Sequence, residues 1–264
     1  MIIRAEDISR VAPRPDITII RNAADFYVKI WNVPEERTSR FFYCYYNYTP
    51  DAAEIIADGK SYMLGPEHFI IIPPELPHKL KQIAPFRHFF CHFLAGSPYS
   101  NLQEIISVPA APYTHYLELI RDPSKRNLAF YALLYSLLLE IPPEKMKATA
   151  AKDRKIEKVL QIIQNNPSES LSLEMLARQT NMSVSSLSHR FKNATGITPA
   201  QYVLQFRLEL ALLYLADTDG PGIEAIAEQC GFANRYHFSK QFKKQYGMAP
   251  GQMKRYMSKD KTSL

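Results

Sequence analysis

The chain has few cysteines and no long hydrophobic run. Its three cysteines, Cys44, Cys91 and Cys230, show no paired spacing in 264 residues. That argues against a disulfide framework and suits free, buried thiols in a reducing cytosol. No apolar stretch approaches the roughly 20 residues of a membrane span. The opening Met-Ile-Ile-Arg-Ala-Glu-Asp lacks the apolar run of a secretory leader. A cytoplasmic place with no membrane partner is therefore expected. Acidic charge is also short in one half. Residues 1–150 carry 16 Lys and Arg against 16 Asp and Glu, whereas residues 151–264 carry 16 against 10. The whole net charge of +6 thus lies on the C-terminal part, the electrostatic footprint of a polyanion binder, although solvated surplus charge alone decides little.

That part contains an internal repeat. Leu176-Ala177, Asn181, Ser183, Leu187, Phe191-Lys192, Gly196 and Pro199 return as Ile226-Ala227, Gly231, Ala233, Phe238, Phe242-Lys243, Gly247 and Pro250. The alanines lie 50 apart and the phenylalanines, glycines and prolines 51 apart, so one supersecondary unit is used twice. Each copy reads as helix, tight turn, helix. Asn181 and Gly231 tolerate the positive φ of the turn. Ser183 and Asn234 are predicted to cap the second helices. Leu187 with Phe191, and Phe238 with Phe242, form an inward i, i+4 stripe. The outward residues are then Ser185, Ser186, Ser188, His189 and Lys192 in the first copy. In the second they are Arg235, Tyr236, Ser239, Lys240, Lys243 and Lys244. Hydroxyl and cationic side chains at the start of such a helix reach base edges, and lysines further along reach phosphates. One such pattern is commonly an ordinary helical hairpin; two with matching landmarks on a basic segment point to DNA. Arg235 and Lys240, cationic and early on their helix, are the leading contacts.

On these residues, 153–256 resembles the double helix-turn-helix DNA-binding domain of the AraC/XylS transcription regulators. The second copy, from Ile226 to Pro250, follows that family's signature through Gly231-Phe232, Phe238, Phe242-Lys243-Lys244, Gly247 and Pro250. It departs at Gly222, where the family usually caps with Ser, and the first recognition helix is unusually rich in serine. The resemblance gives Arg207, in the helix predicted at 200–216, the role of a brace rather than a base reader. That helix joins the two units rigidly, as successive major grooves about 34 Å apart require.

Residues 1–112 read as β. Short aromatic and β-branched runs at 17–21, 26–31, 40–48, 54–57, 61–64, 68–72, 78–83 and 87–93 are broken by Pro, Gly, Asn and Asp, a pattern of sandwich or small barrel. The order from Asp58 to His78 resembles the cupin-like effector domain of the same family, which implies a β-barrel with a pocket at its mouth. Metal-binding cupins carry a His-x-His with a nearby Glu, and no such pair surrounds Gly59. No metal or other cofactor is expected, and His78 is assigned at most a hydrogen bond to a ligand. His88 and His92 share a strand face with Phe90 that the sequence allows to be the outer one. Phe41, Tyr43 and Tyr45 alternate with Phe42, Cys44, Tyr46 and Tyr48. A strand aromatic on both faces packs on both sides or lines a cavity. Trp31, Tyr43, Tyr45 and His78 are the candidate effector-binding residues, suited to a sugar or other small polar metabolite. A core that merely uses Tyr for volume is the competing reading.

Residues 113–141 change to a helical period, with a break at Asp122-Pro123 and one stripe of Leu128, Tyr131, Ala132, Tyr135, Leu138 and Leu139. Such a stripe covers the barrel or pairs with its copy, and the resemblance implies a homodimer. Residues 142–152 read as a linker. The expectation is an α+β two-domain chain, a cupin-like β-barrel followed by an all-α double helix-turn-helix domain. It acts on a double-stranded DNA operator in response to a small-molecule effector, with RNA polymerase a further partner. The rivals are a ligand-independent regulator whose barrel only mediates dimerisation or protein contacts, and a metal-dependent cupin enzyme with a fused helical domain.

Overall fold

The computed structural model describes residues 17–28, 33–96, 98–146, 153–215 and 220–259. Its N-terminal part is antiparallel β throughout: β1 (Ile17–Val28), β2 (Val33–Arg37), β3 (Phe42–Asn47), β4 (Ala53–Ala57), β5 (Lys60–Leu64), β6 (His68–Ile72), β7 (His78–Gln82), β8 (Phe86–Ala95) and β9 (Ile106–Pro109). One sheet has the order β1-β8-β3-β6-β9 and the other β2-β7-β4-β5. Alternation along β3 explains why all six of its residues are buried. Tyr43 and Tyr45 face Ile55, Leu64 and Leu80 of the other sheet, while Phe42, Cys44 and Tyr46 face a layer of helices. The hairpin between β4 and β5 places Asp58 (φ 49°) and Gly59 (φ 71°) between the paired Ala57 and Lys60, the left-handed pair of a type I′ turn.

Three strand expectations are corrected. The segment expected at 17–21 and the described part, 26–28, of that expected at 26–31 form one strand, whose register shifts between Ile19 and Arg21 and between Ala23 and Phe26. Bulges there break the alternation that would have shown its length. The β2 and β9 strands were not expected, because β2 holds Glu36 and Arg37 beside Pro34 and β9 is four residues ending in Pro109. The face carrying His88, Phe90 and His92 is inward, since β8 lies between β1 and β3 with Tyr45 opposite Phe90 and Tyr43 opposite His92. Cys44 and Cys91 are also cross-strand partners on the helix-covered face. Both are free, and burial holds both thiols well above the ordinary thiol pKa.

Helices α1 (Thr114–Arg121) and α2 (Arg126–Leu139) cover the outer face of the five-stranded sheet, with Phe130 stacked on Phe89 at 5.6 Å. The single stripe expected on α2 is two faces. Leu138 is buried with Phe130, Leu133, Leu134 and Leu137 against the sheet, whereas Leu128 (78% exposed), Tyr135 and Leu139 (80% exposed) point outward. A helix apolar on both sides hides the boundary between its faces from a simple periodicity count.

The C-terminal helices are α3 (Arg154–Asn165), α4 (Leu173–Gln179), α5 (Val184–Thr195), α6 (Pro199–Leu215), α7 (Ile223–Gln229), α8 (Arg235–Tyr246) and α9 (Pro250–Lys259). Phe191, Phe206, Phe238 and Phe242 are fully buried at their centre. The two parts meet at α6. Phe41 packs on Phe206 at 5.4 Å. The Arg40 guanidinium donates to Glu209 and to Gln205 Oε1 (2.6 Å) and lies 4.8 Å over the Tyr202 ring. Burial raises the Glu209 carboxyl pKa against the pull of Arg40.

Candidate nucleic-acid interface

Both helix-turn-helix units close by the same bonds. In the turns, the Met182 amide donates to Ala177 O and the Phe232 amide to Ala227 O, both at 2.9 Å. Asn181 (φ 50°) and Gly231 (φ 74°) hold the left-handed positions. The Ser183 side chain accepts from the Ser186 amide at 3.2 Å and Asn234 from the His237 amide at 2.9 Å, satisfying amides that a helix start leaves unpaired. Left-handed Gly196 and Gly247 end α5 and α8, their amides bonded to Lys192 O and Lys243 O. Ser172 caps α4 through Met175, whereas Gly222 caps α7 with no side-chain bond.

With Leu187, Phe191, Phe238 and Phe242 turned in, the other faces of α5 and α8 are presented to solvent. Ser185, His189 and Lys192 are exposed and Ser188 is half-buried; Arg235, Tyr236, Lys240 and Lys243 are exposed and Ser239 is half-buried. Tyr236 is 87% exposed, which is costly for an aromatic side chain with nothing to cover it. Among the described residues, none of Lys192, Arg235, Lys240 and Lys243 enters an ion pair. Arg190, one position from His189, turns the other way: its Nε donates to Asp153 Oδ2 at 2.6 Å. Burial alone would raise the Asp153 carboxyl, but Arg190 and the amides of Ile156 and Lys155 hold it below the usual range.

The units are held in one frame by α6. Arg207 donates from Nε to Pro167 O (2.9 Å), from Nη1 to Gly231 O (2.7 Å) and from Nη2 to Glu169 O (2.6 Å). It thereby ties the segment before α4 to the turn after α7.

In the β-domain, Tyr43, Tyr45 and His78 come together. Tyr43 stacks on Tyr45 at 5.6 Å and meets His78 edge-on at 5.8 Å. Trp31 lies outside the described residues. Two groups in this interior were not anticipated. Arg37 stands 5.6 Å from the Tyr43 ring and Arg21 lies 4.6 Å over Phe90. Arg37 was hidden because its strand was. Burial and Arg21 push the His88 imidazole down to about 3, and burial holds His92 far below its ordinary value as well. Among the described residues, no group of three His, Cys, Asp or Glu is placed to hold a metal ion. A separate cavity of about 770 Å³ opens between the β-domain and the α3, α5 and α6 helices, lined by Arg40, Leu94, Ile156, Leu160, Arg190 and Tyr202 among others.

Two coupled helix-turn-helix units behind an antiparallel β-domain define the class of protein. A helix-turn-helix domain family model matches residues 176–256. The Msm operon regulatory protein of Streptococcus mutans is 28% identical over 178 residues, 67% of this chain and 62% of that protein. The HTH-type transcriptional activator RhaS of Pectobacterium atrosepticum is 37% identical over 95 residues, 36% of this chain and 34% of that protein. The chain thus spans less than two thirds of the length of these curated relatives. Fatty-acid-bound ToxT of Vibrio cholerae superposes on 94% of this chain and 96% of its own with a TM-score of 0.56, at 12% identity, a likeness of fold. Residues 176–256 thus belong to the helix-turn-helix domain family, and over 95 residues the chain is similar to the HTH-type transcriptional activator RhaS.

Proposed function

We propose that the chain is a DNA-binding transcription regulator that acts on an operator as a homodimer, under the control of a small molecule held by its β-domain. The observation that carries this reading is the pair of helices α5 and α8, equal in length, each opened by a side-chain cap and closed by a left-handed glycine, with Ser185, His189 and Lys192 on one outward face and Arg235, Tyr236, Lys240 and Lys243 on the other. Arg235 and Lys240 read bases, with Tyr236, Ser185, Ser188 and His189 assisting; Lys192 and Lys243 hold phosphates, and Ser239 supports them. The outward face of α2, with Leu128, Tyr135 and Leu139, is the dimer contact, since an apolar stripe of this kind on a soluble chain needs a cover.

We take 1–112 as the effector domain, 113–141 as the dimerisation segment, 142–152 as the linker and 153–256 as the DNA-binding domain. Tyr43, Tyr45 and His78 contact the effector, and a sugar-like or other small polar metabolite suits them. The Arg40 contacts with Gln205 and Glu209 would carry a change in the β-domain to α6, and so to the placement of both recognition helices. Such a regulator works in the cytoplasm, with RNA polymerase as its downstream partner.

Fluorescence anisotropy on DNA from upstream of the chain's own and neighbouring genes, across a salt series, tests the DNA reading. Selective binding with a steep salt slope supports it. Equal affinity for all sequences at every salt concentration removes it.

A further inference from the structure

We infer that the operator's sequence information lies under α8 alone, as a guanine taken by Arg235 and a thymine methyl taken by Tyr236, while α5 holds the neighbouring groove with little regard to sequence. The inference rests on the DNA reading above and names which unit discriminates and what it recognises. Both helices are 12 residues long, with Phe191 and Phe242 buried at the same step, so their residues compare one to one. Val184 stands where the second unit has Arg235, Ser185 where it has Tyr236, and His189 where it has Lys240. The outward positions that agree are Ser188 with Ser239 and Lys192 with Lys243. These carry a hydroxyl and a flexible ammonium, groups that hold phosphates. The two units thus share their grip and differ at the positions that meet bases.

On α8 the reading groups are at liberty. Arg235 and Tyr236 are the first two residues of the helix, both exposed, and Arg235 is in no ion pair among the described residues. A guanidinium meets guanine O6 and N7 at once, a pair of acceptors that no other base offers in the major groove. The exposed Tyr236 ring gains by covering the C5-methyl of thymine, the apolar group of that groove. On α5 the corresponding groups are committed or indifferent. Its one arginine, Arg190, donates to Asp153 Oδ2 at 2.6 Å, and Asp153 Oδ1 is fixed in turn by the amides of Lys155 and Ile156. The His189 ring lies 3.4 Å from the Asn193 amide one turn on. Ser185 and the half-buried Ser188 remain. A hydroxyl donates or accepts as the base edge requires, so it distinguishes little.

The test selects duplexes from a pool with a randomised centre, using the full chain, and then alters single atoms of the winners. The expected winners share one conserved segment per protomer, containing guanine and thymine, beside a variable segment about 10 base pairs away. Replacing the conserved guanine by 7-deazaguanine, which lacks N7, should weaken the wild-type chain about 5- to 150-fold and leave Arg235→Ala unchanged. Replacing the thymine by uracil, which lacks the methyl, should weaken the wild type about fourfold and leave Tyr236→Ala unchanged. Ser185→Ala with Ser188→Ala should select the same conserved bases as wild type. Two equally conserved segments per protomer would overturn the inference while leaving a DNA-binding regulator standing. A 7-deazaguanine penalty that persists in Arg235→Ala would do the same. A pool that enriches no sequence at all would overturn the DNA reading itself, and this inference with it.

Discussion

Arg207 of α6 donates through Nη1 to the backbone carbonyl of Gly231 at 2.7 Å, and Gly231 has room for no side chain. A Cβ there would strike the Pro167 carbonyl oxygen and stand 2.7 Å from the Arg207 guanidinium carbon. The turn of the second unit is therefore pressed onto the arginine that also holds the entry to the first through Pro167 and Glu169. The two recognition helices share one frame through this joint.

Gly231→Ala is expected to destabilise the chain by roughly 2–4 kcal/mol, from the left-handed backbone and the collision together. Arg207→Met, which leaves three carbonyls short of a donor, should cost about 2–3 kcal/mol. Urea unfolding measures both. A loss below about 0.5 kcal/mol, the usual effect of a surface change, would show the joint to be incidental.

Substitutions on α8 should separate reading from holding. Arg235→Ala is expected to weaken operator binding by about 1–3 kcal/mol and to relax preference at the contacted base pairs. Lys243→Ala should weaken all DNA alike and lower the salt slope by about 0.9. Anisotropy on operator and scrambled DNA distinguishes them; unchanged binding in both variants would remove these assignments.

Stability should fall on mild acidification because of the histidines in the β-domain. The His88 pKa is depressed by burial to about 3 in the folded chain, so below pH 6.5 the unfolded chain takes up a proton that the folded chain does not. The stabilisation is fully present above the unfolded value and is lost progressively as pH falls towards the folded one. Between pH 7 and pH 5, His88 alone accounts for about 2 kcal/mol, and His92 shifts in the same direction. Urea midpoints at the two pH values check this. A flat profile would mean that the imidazoles protonate in place.

The outward face of α2 should govern assembly without governing folding. Leu128→Glu with Leu139→Glu is expected to turn a dimer into a monomer on sedimentation, with a change in Tm equivalent to less than about 1 kcal/mol, since both side chains are exposed in the single chain. An unaltered dimer would place the contact elsewhere.

The sequence was most legible where one residue had one reason to be present. Asn181 and Gly231 at the left-handed turns, and Ser183 and Asn234 as caps, follow from backbone constraints that few residues satisfy. The repeat doubled each signal. The β-domain was harder because burial on both faces erases alternation: on β8, His88 and His92 are buried along with Phe89 and Phe93. Arg37 escaped notice because charge on a short strand is ordinarily a mark of its outer face. The division of α2 into two apolar faces, and the Arg40 contact with Glu209 across 169 residues, depend on how elements meet and leave no local trace.

The most direct measurement is hydroxyl-radical footprinting of the chain on its selected operator. The account predicts two protected backbone segments per protomer, about 10 base pairs apart on one face of the DNA, with the segment under α8 lost in Arg235→Ala. A single protected segment, or protection that does not respond to that substitution, would contradict it.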